Sequence, residues 1–312
     1  MKNSVVLAFL LLIGAQAFAK TCLYVNSYHS GYPWSDGIES SLEAGLKGKC
    51  TLIKFNMDTK KSPTTAKQKG EEAKALIESK KPDVVIVSDD NAVKYLLMPF
   101  FKDSKVPFVY LGVNWSGDAY GLPYKNTTGM IEVAPVQAVL QEVKAASGSI
   151  KKAIFLSPDN ESEQMDAKFT QKLFKAGGIE MDIVLVKNMN EWKEAYKKAQ
   201  ESTDLVYVNN NAGINDWNEA EGKATAAASM KKVTTGIYEW MAPYSTFVMM
   251  KQPEEQGEFG AQAAIQILAG KAPDSIPVER NKRATPMLNS TLAGKSPYKL
   301  SENLMNKAKK IN

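Results

Sequence analysis

The sequence predicts an α/β protein of two doubly wound, parallel-sheet lobes, and three observations lead there. Short β-branched runs alternate with longer amphipathic ones, as right-handed βαβ crossovers over a parallel sheet require. The alternation comes in two series, separated by a Gly-, Pro- and aromatic-rich stretch at 112–126. The chain has 312 residues, ample for two lobes of ordinary domain size.

The elements follow in order. Lys2, an apolar run from Val5 to Ile13 and the small-x-small triplet Ala17-Phe18-Ala19 make a secretory signal over residues 1–19, with cleavage before Lys20. The apolar run is too short for a bilayer, which needs about twenty residues, so a soluble mature protein in the periplasm is expected. Strands are predicted at 21–26, 51–56, 84–87 and 108–111, with helices at 36–46, 65–79 and 91–101 between them. The segment 112–126 has no periodicity, and a long loop in a compact domain is more often functional than idle. The second series has helices at 135–146, 161–176, 191–200 and 216–230, and strands at 153–156, 182–186, 205–208 and 233–237. A boundary falls near 132–135 and a second crossing near 244–252. A helix at 254–268 is closed by Gly270, and a Pro-containing turn follows at 271–277.

Composition narrows the function. The net charge of +5 is spread over scattered lysines, a solvated surface rather than a nucleic-acid stripe. The arginines are Arg280 and Arg283 alone. Cys22 and Cys50 are an even pair in an oxidising compartment, where a disulfide is expected. They begin or precede the first and second strands, neighbours in most doubly wound folds. Cys22 lies past the predicted cut, which argues against an acyl anchor. Two cysteines and the single His29 are too few for a zinc site, so neither metal nor cofactor is expected. Neither G-x-S-x-G nor a phosphate-cradling glycine motif is present.

The stretch NSYHSGYPWSDGI after the first strand resembles the opening of the ABC-transporter substrate-binding proteins with the type 1 periplasmic-binding fold, a fold also used in extracellular sensor domains. NTTGMIEVAPVQAVL, FLSPDNESE, GAQAAIQILAGKAPDSIPVE and the closing KLSENLMNKAK resemble the family in the same order, from about Lys20 onward. The resemblance implies two lobes joined by a three-stranded hinge, near 132–135, 244–252 and 278–283. The lobes are then 20–133 plus 250–278, and 134–249 plus 279–312. Better-known members bind aromatic amino acids. This chain departs from them at Ser88-Asp89-Asp90-Asn91, where they carry small, uncharged residues.

Strand ends should supply the ligand contacts, because α/β sheets bind ligands outside the carboxyl ends of their strands. In the first lobe these are Ser27 and Tyr28, then Trp34, Ser35 and Asp36, then Asp89, Asp90 and Asn91, then Asn114 and Trp115. In the second they are Ser157 and Asp159, Asn209 and Asn210, and Tyr238 and Glu239. Ser35 and Asp36 read equally as helix caps, and the asparagines at 209–211 as an Asx-rich turn. One of the 89–91 group caps the next helix, but two adjacent acids are more than a cap requires, which favours one facing the crevice. Trp34 reads as a stacking wall. Acids and rings without arginine favour a neutral or amine-bearing organic solute over a dicarboxylate, sulfate or phosphate. Helix N-termini binding a carboxylate through backbone amides is the competing reading. The expected protein is therefore not an enzyme but a solute-binding protein, partnered by a membrane ABC permease or a membrane sensor. The alternative is an exported enzyme using Asp89, Asp90 or Glu239 as acid or base.

Overall fold

The computed structural model describes residues 20–146 and 148–311. The expected leader, residues 1–19, lies outside the described residues. The first lobe is built from β1 (Thr21–Asn26), α1 (Pro33–Leu46), β2 (Thr51–Asn56), α2 (Ala66–Lys80), β3 (Val84–Ser88), β4 (Phe108–Asn114) and β5 (Thr127–Glu132). Between β3 and β4 the helix breaks into α3 (Asp89–Ala92), a π turn at Val93–Leu97 and α4 (Met98–Phe100). The second lobe holds α5 (Val136–Ala145), β6 (Lys152–Pro158), α6 (Glu161–Ala176), β7 (Glu180–Val186), α7 (Met189–Ser202) and β8 (Leu205–Val208). It continues with α8 (Glu219–Ser229), β9 (Val233–Gly236) and β10 (Phe247–Lys251). The chain then returns to the first lobe as α9 (Pro253–Leu268) and β11 (Glu279–Arg280). It ends in the second as β12 (Ala284–Asn289), α10 (Ser290–Ala293), α11 (Glu302–Lys307) and β13 (Lys309–Ile311).

Two sheets carry these elements, in the orders β11-β5-β4-β3-β1-β2 and β13-β12-β10-β9-β8-β6-β7. The doubly wound expectation holds, with one correction. β12 runs antiparallel to β10, so the second sheet is mixed rather than wholly parallel. The central strands β1, β3 and β4 are almost wholly buried apolar runs, because helices cover both faces.

Lobe boundaries shift by two residues at two crossings. Lys251, expected in the first lobe, ends β10 in the second lobe's sheet. Glu279 and Arg280, expected in the second lobe, pair with Met130 and Ile131 of β5 in the first. Backbone pairing decides both, since strand ends find ladder partners before the chain crosses. The second predicted crossing is largely strand, and 112–126 is not all loop: β4 extends through Asn114 before a 3₁₀ turn.

Cys22 and Cys50 are joined, with Cα atoms 5.9 Å apart. Thr21 pairs with Thr51 in the β1–β2 register, which brings the two cysteines together at the same end of adjacent strands. Among the described residues no helix is long and apolar enough to cross a membrane.

Candidate functional site

The carboxyl ends of β1, β3 and β4 face those of β6 and β8 across a cleft, and the cleft is closed by side chains reaching over it. Trp115 Nε1 donates to Asp166 Oδ1 at 2.8 Å. Asn210 Nδ2 donates to the Tyr32 hydroxyl at 3.2 Å. Tyr28 and Ser162 share a hydroxyl contact of 3.1 Å. Lys60 Nζ lies 3.4 Å from Glu163 Oε1, and both side chains are buried. At the mouth, Lys94 pairs with Glu161 in the open. A cavity of about 340 Å³ opens there, bordered by Tyr28, Lys60, Asn91, Tyr95, Asp159 and Ser162.

On the first lobe's wall, Asp89 and Asp90 follow β3 and are both buried. Asp89 takes a left-handed backbone (φ +67), as does Trp115 (φ +62). Such conformations are rare outside glycine and cluster where the surroundings over-determine them. Asp89 Oδ1 accepts from Trp34 Nε1 at 2.8 Å. Gly112 makes room for it: a Cβ there would lie 2.9 Å from Asp89 Oδ1, and the glycine itself has φ +63 at a bulge in β4. Asp90 accepts from Asn114 Nδ2 at 2.7 Å and from the Tyr120 hydroxyl at 2.9 Å.

The second lobe's wall has a different source. Glu163 and Asp166, near the start of α6, are both buried. Glu163 Oε2 accepts from Ser157 Oγ at 2.7 Å and Asn209 Nδ2 at 2.6 Å, while Oε1 accepts from Asn210 Nδ2 at 2.8 Å. Asn209 Nδ2 also reaches Asp166 Oδ2 at 3.2 Å. Asn160 caps the helix, accepting from Glu163 N.

Burial raises these acids. Asp89 is pushed up to about 7 by loss of solvent and by the charge of Asp90, against the Trp34 hydrogen bond. Asp166 also rises to about 7, through burial and then the charge of Glu163. Asp90 is raised by burial, which outweighs the hydrogen bonds from Tyr120 and Asn114.

Rings line the space between. Tyr238 stacks on Trp240 at 4.3 Å and meets Trp34 edge-on at 6.2 Å. Tyr32 meets both Tyr28 and Trp240 edge-on at 5.6 Å. At the hinge, the Lys251 ammonium contacts Glu132 and lies 4.3 Å from the centre of the Tyr238 ring.

Several expected residues do other work. Ser35 is not the α1 cap, which falls at Tyr32; its hydroxyl donates to Asn26 Oδ1 at 3.1 Å. Asp36 accepts from Gly31 N at 2.9 Å and braces the loop before the helix. Ser27 Oγ is committed to Ser88 O and Ala92 N, joining β1 to the turn after β3. Asn91 donates to Thr59 Oγ1 at the mouth. Asp159 is exposed there and accepts from Gln164. Glu239 is outside the cleft depths, exposed and paired with Lys309. Tyr28, Trp34, Asp89, Asp90, Asn114, Trp115, Ser157, Asn209, Asn210 and Tyr238 are brought together.

Glu163, Asp166, Tyr32, Lys60 and Trp240 were not anticipated. A signal for two of them exists: the buried stripe Ala167, Thr170, Phe174 on α6, followed back by helical spacing, lands on Glu163 and Asp166.

The sequence profile of the ABC transporter substrate binding protein family matches residues 26–312. The chain belongs to that family. No curated protein sequence matches it. A Streptococcus pneumoniae ABC domain solved in complex with L-Trp is 16% identical, with a TM-score of 0.72 over 95% of this chain and 100% of that one. A conserved domain protein from Vibrio cholerae is 17% identical, with a TM-score of 0.75 over the same shares. A ligand-free, open substrate-binding protein with adhesive properties from Clostridium difficile is 13% identical, with a TM-score of 0.68 over 94% and 99%. At these identities the likeness establishes the type 1 periplasmic-binding fold of this ABC-type binding protein.

Proposed function

We propose that the protein is exported, matures at Lys20 and traps a small organic solute between its lobes for a membrane partner, an ABC permease or a sensor. The supporting observation is the convergence of buried polar side chains from both lobes on one cleft, bridged by Trp115–Asp166 and Asn210–Tyr32. A ligand entering that cleft exchanges such bridges for contacts of its own, so binding and lobe closure are coupled. The pneumococcal relative, solved with L-Trp, has the same fold. Binding without turnover is the reading: the raised acids sit in a hydrogen-bonded frame with Trp34, Trp115 and Asn209 as donors.

Mass spectrometry of small molecules released from natively purified protein tests this. The expected result is one dominant solute, recovered unchanged after rebinding, that reduces the radius of gyration in small-angle scattering. Conversion of the solute, or no solute and no closure with any candidate, overturns the reading. An intact mass that retains residues 1–19 overturns export by a cleaved leader.

A further inference from the structure

Two acceptors of the closed cleft lack a donor. Asp89 Oδ2 and Asn209 Oδ1, one from each lobe, are buried without any hydrogen-bond partner. Each residue is about 1% exposed. The Asn209 amide cannot be turned to cure this, because its nitrogen already serves Glu163 and Asp166. A buried, unsatisfied acceptor costs roughly 1–3 kcal/mol. Both need a group that donates.

Charge points the same way. Asp89, Asp90, Glu163, Asp166 and Glu132 are buried in and beside the cleft, against the buried ammonium groups of Lys60 and Lys251. Lys251 is engaged with Glu132 at the hinge. Arg283 is exposed and paired with Glu258, and Arg280 lies exposed on β11. The cleft also shows what it accepts. Lys60 Nζ sits 4.6 Å from the centre of the Tyr28 ring and 5.3 Å from that of Tyr32, beside Glu163. That is an ammonium held by ring faces and a carboxylate. Among the described residues, no group of acids, histidines and cysteines is arranged to hold a metal ion.

We infer that the solute is an organic cation whose ammonium or guanidinium N–H groups donate to Asp89 Oδ2 and Asn209 Oδ1, opposite Asp166. An ammonium has three donors and no acceptor, the complement of what the cleft lacks. Charge-assisted hydrogen bonds of this kind are worth about 1.5–3 kcal/mol. This inference rests on the solute-binding reading and adds the charge class of the solute.

Calorimetry at pH 8 with two matched trios tests it: tyramine, tyrosine and tyrosol; and putrescine, γ-aminobutyrate and butanediol. Each trio holds the skeleton and changes the charge. The charge of any solute released from the native protein is a second arm. An amine binding at least about tenfold more tightly than its zwitterionic and neutral counterparts is expected, a difference of one charge-assisted contact. A released solute of net positive charge gives the same support. Asp89→Asn, which keeps an acceptor for Trp34, should weaken the cation about tenfold or more. Lys60→Met, which removes a cation from the cleft, should strengthen it. Circular dichroism establishes that each variant is folded, and a misfolded Asp89→Asn is replaced by Asp166→Asn. Tighter binding of a neutral or anionic solute, or unchanged cation affinity in the folded Asp variant, overturns the cationic class while leaving solute binding intact. Failure of every probe together with no released solute overturns both.

Discussion

On the first lobe's wall, Asp90 finds its donors at home: Asn114 and Tyr120 belong to the same lobe, and Trp34 serves Asp89 likewise. On the second lobe's wall, Asp166 borrows Trp115 from across the cleft, and Glu163 adds Lys60 to its own Ser157 and asparagines. The first wall's acids draw their hydrogen bonds from their own lobe. The second wall's acids gain Trp115 and Lys60 only when the lobes meet, so closure reports on the second wall and stability on the first.

The largest way to sharpen that contrast is covalent. The Cys22–Cys50 bridge staples the first lobe alone, over a separation of 28 residues. Replacing both cysteines with alanine should cost about 3–4 kcal/mol in the chain-entropy view, read by urea unfolding. Hydrogen exchange should accelerate in β1–β3 and leave β6–β8 unchanged; equal loss in both lobes breaks the comparison.

Next come two donor deletions. Trp115→Phe keeps the stack on Phe169 but removes the hydrogen bond to Asp166. Because an entering solute exchanges this bridge for its own contacts, the variant should show a more open solute-free ensemble in scattering, with no comparable loss of solute affinity. Tyr120→Phe removes a donor to Asp90 within the first lobe, and should lower the Tm while leaving closure in place. The reverse pattern refutes the division of labour.

The pH dependence is shared by the walls. Asp89 and Asp166 are held up at about 7, against an ordinary value near 4. The closed, solute-free form therefore binds protons that the unfolded chain releases. The stability contributed by these two acids is greatest in mild acid, falls as pH rises toward about 7, and levels off above. Lys251, held well below the usual lysine range by burial, acts in the opposite sense as pH rises. Thermal unfolding across that window should show the decline, and Asp166→Asn should flatten it. A Tm that climbs with pH through the same window contradicts the sign.

The smallest effect belongs to the rim. Lys94 and Glu161 pair across the mouth in solvent, and such pairs contribute about 0–1 kcal/mol. Lys94→Ala should leave solute affinity within about twofold by calorimetry; a larger loss would make the rim part of the closing machinery.

Much of the fold was legible because buried parallel strands are unmistakable runs, such as VVIVS in β3. β5 was missed because TTGMIE carries glycine and follows a loop with no period. β12 was missed because ATPMLN contains proline and its pairing is antiparallel across a long chain separation. The first wall was readable for a physical reason: its acids sit immediately after strands, where local order alone exposes them to the cleft. Glu163 and Asp166 lie on a helix, and only tertiary placement turns that face inward. Glu239 misled because it follows Tyr238 at a strand end, yet the next turn directs it outward to Lys309.

The left-handed backbone at Asp89 has a consequence for how this protein can diverge. That conformation admits few residue types without strain: glycine, asparagine and aspartate chief among them. The substitutions that add least backbone strain there form a short alphabet, and aspartate and asparagine within it differ mainly in charge. Moving from aspartate to asparagine changes the charge of the cleft and keeps an acceptor for Trp34. An exchange between aspartate and asparagine at this position is cheap for the scaffold, while a bulkier side chain there takes on the backbone strain that Trp115 already carries.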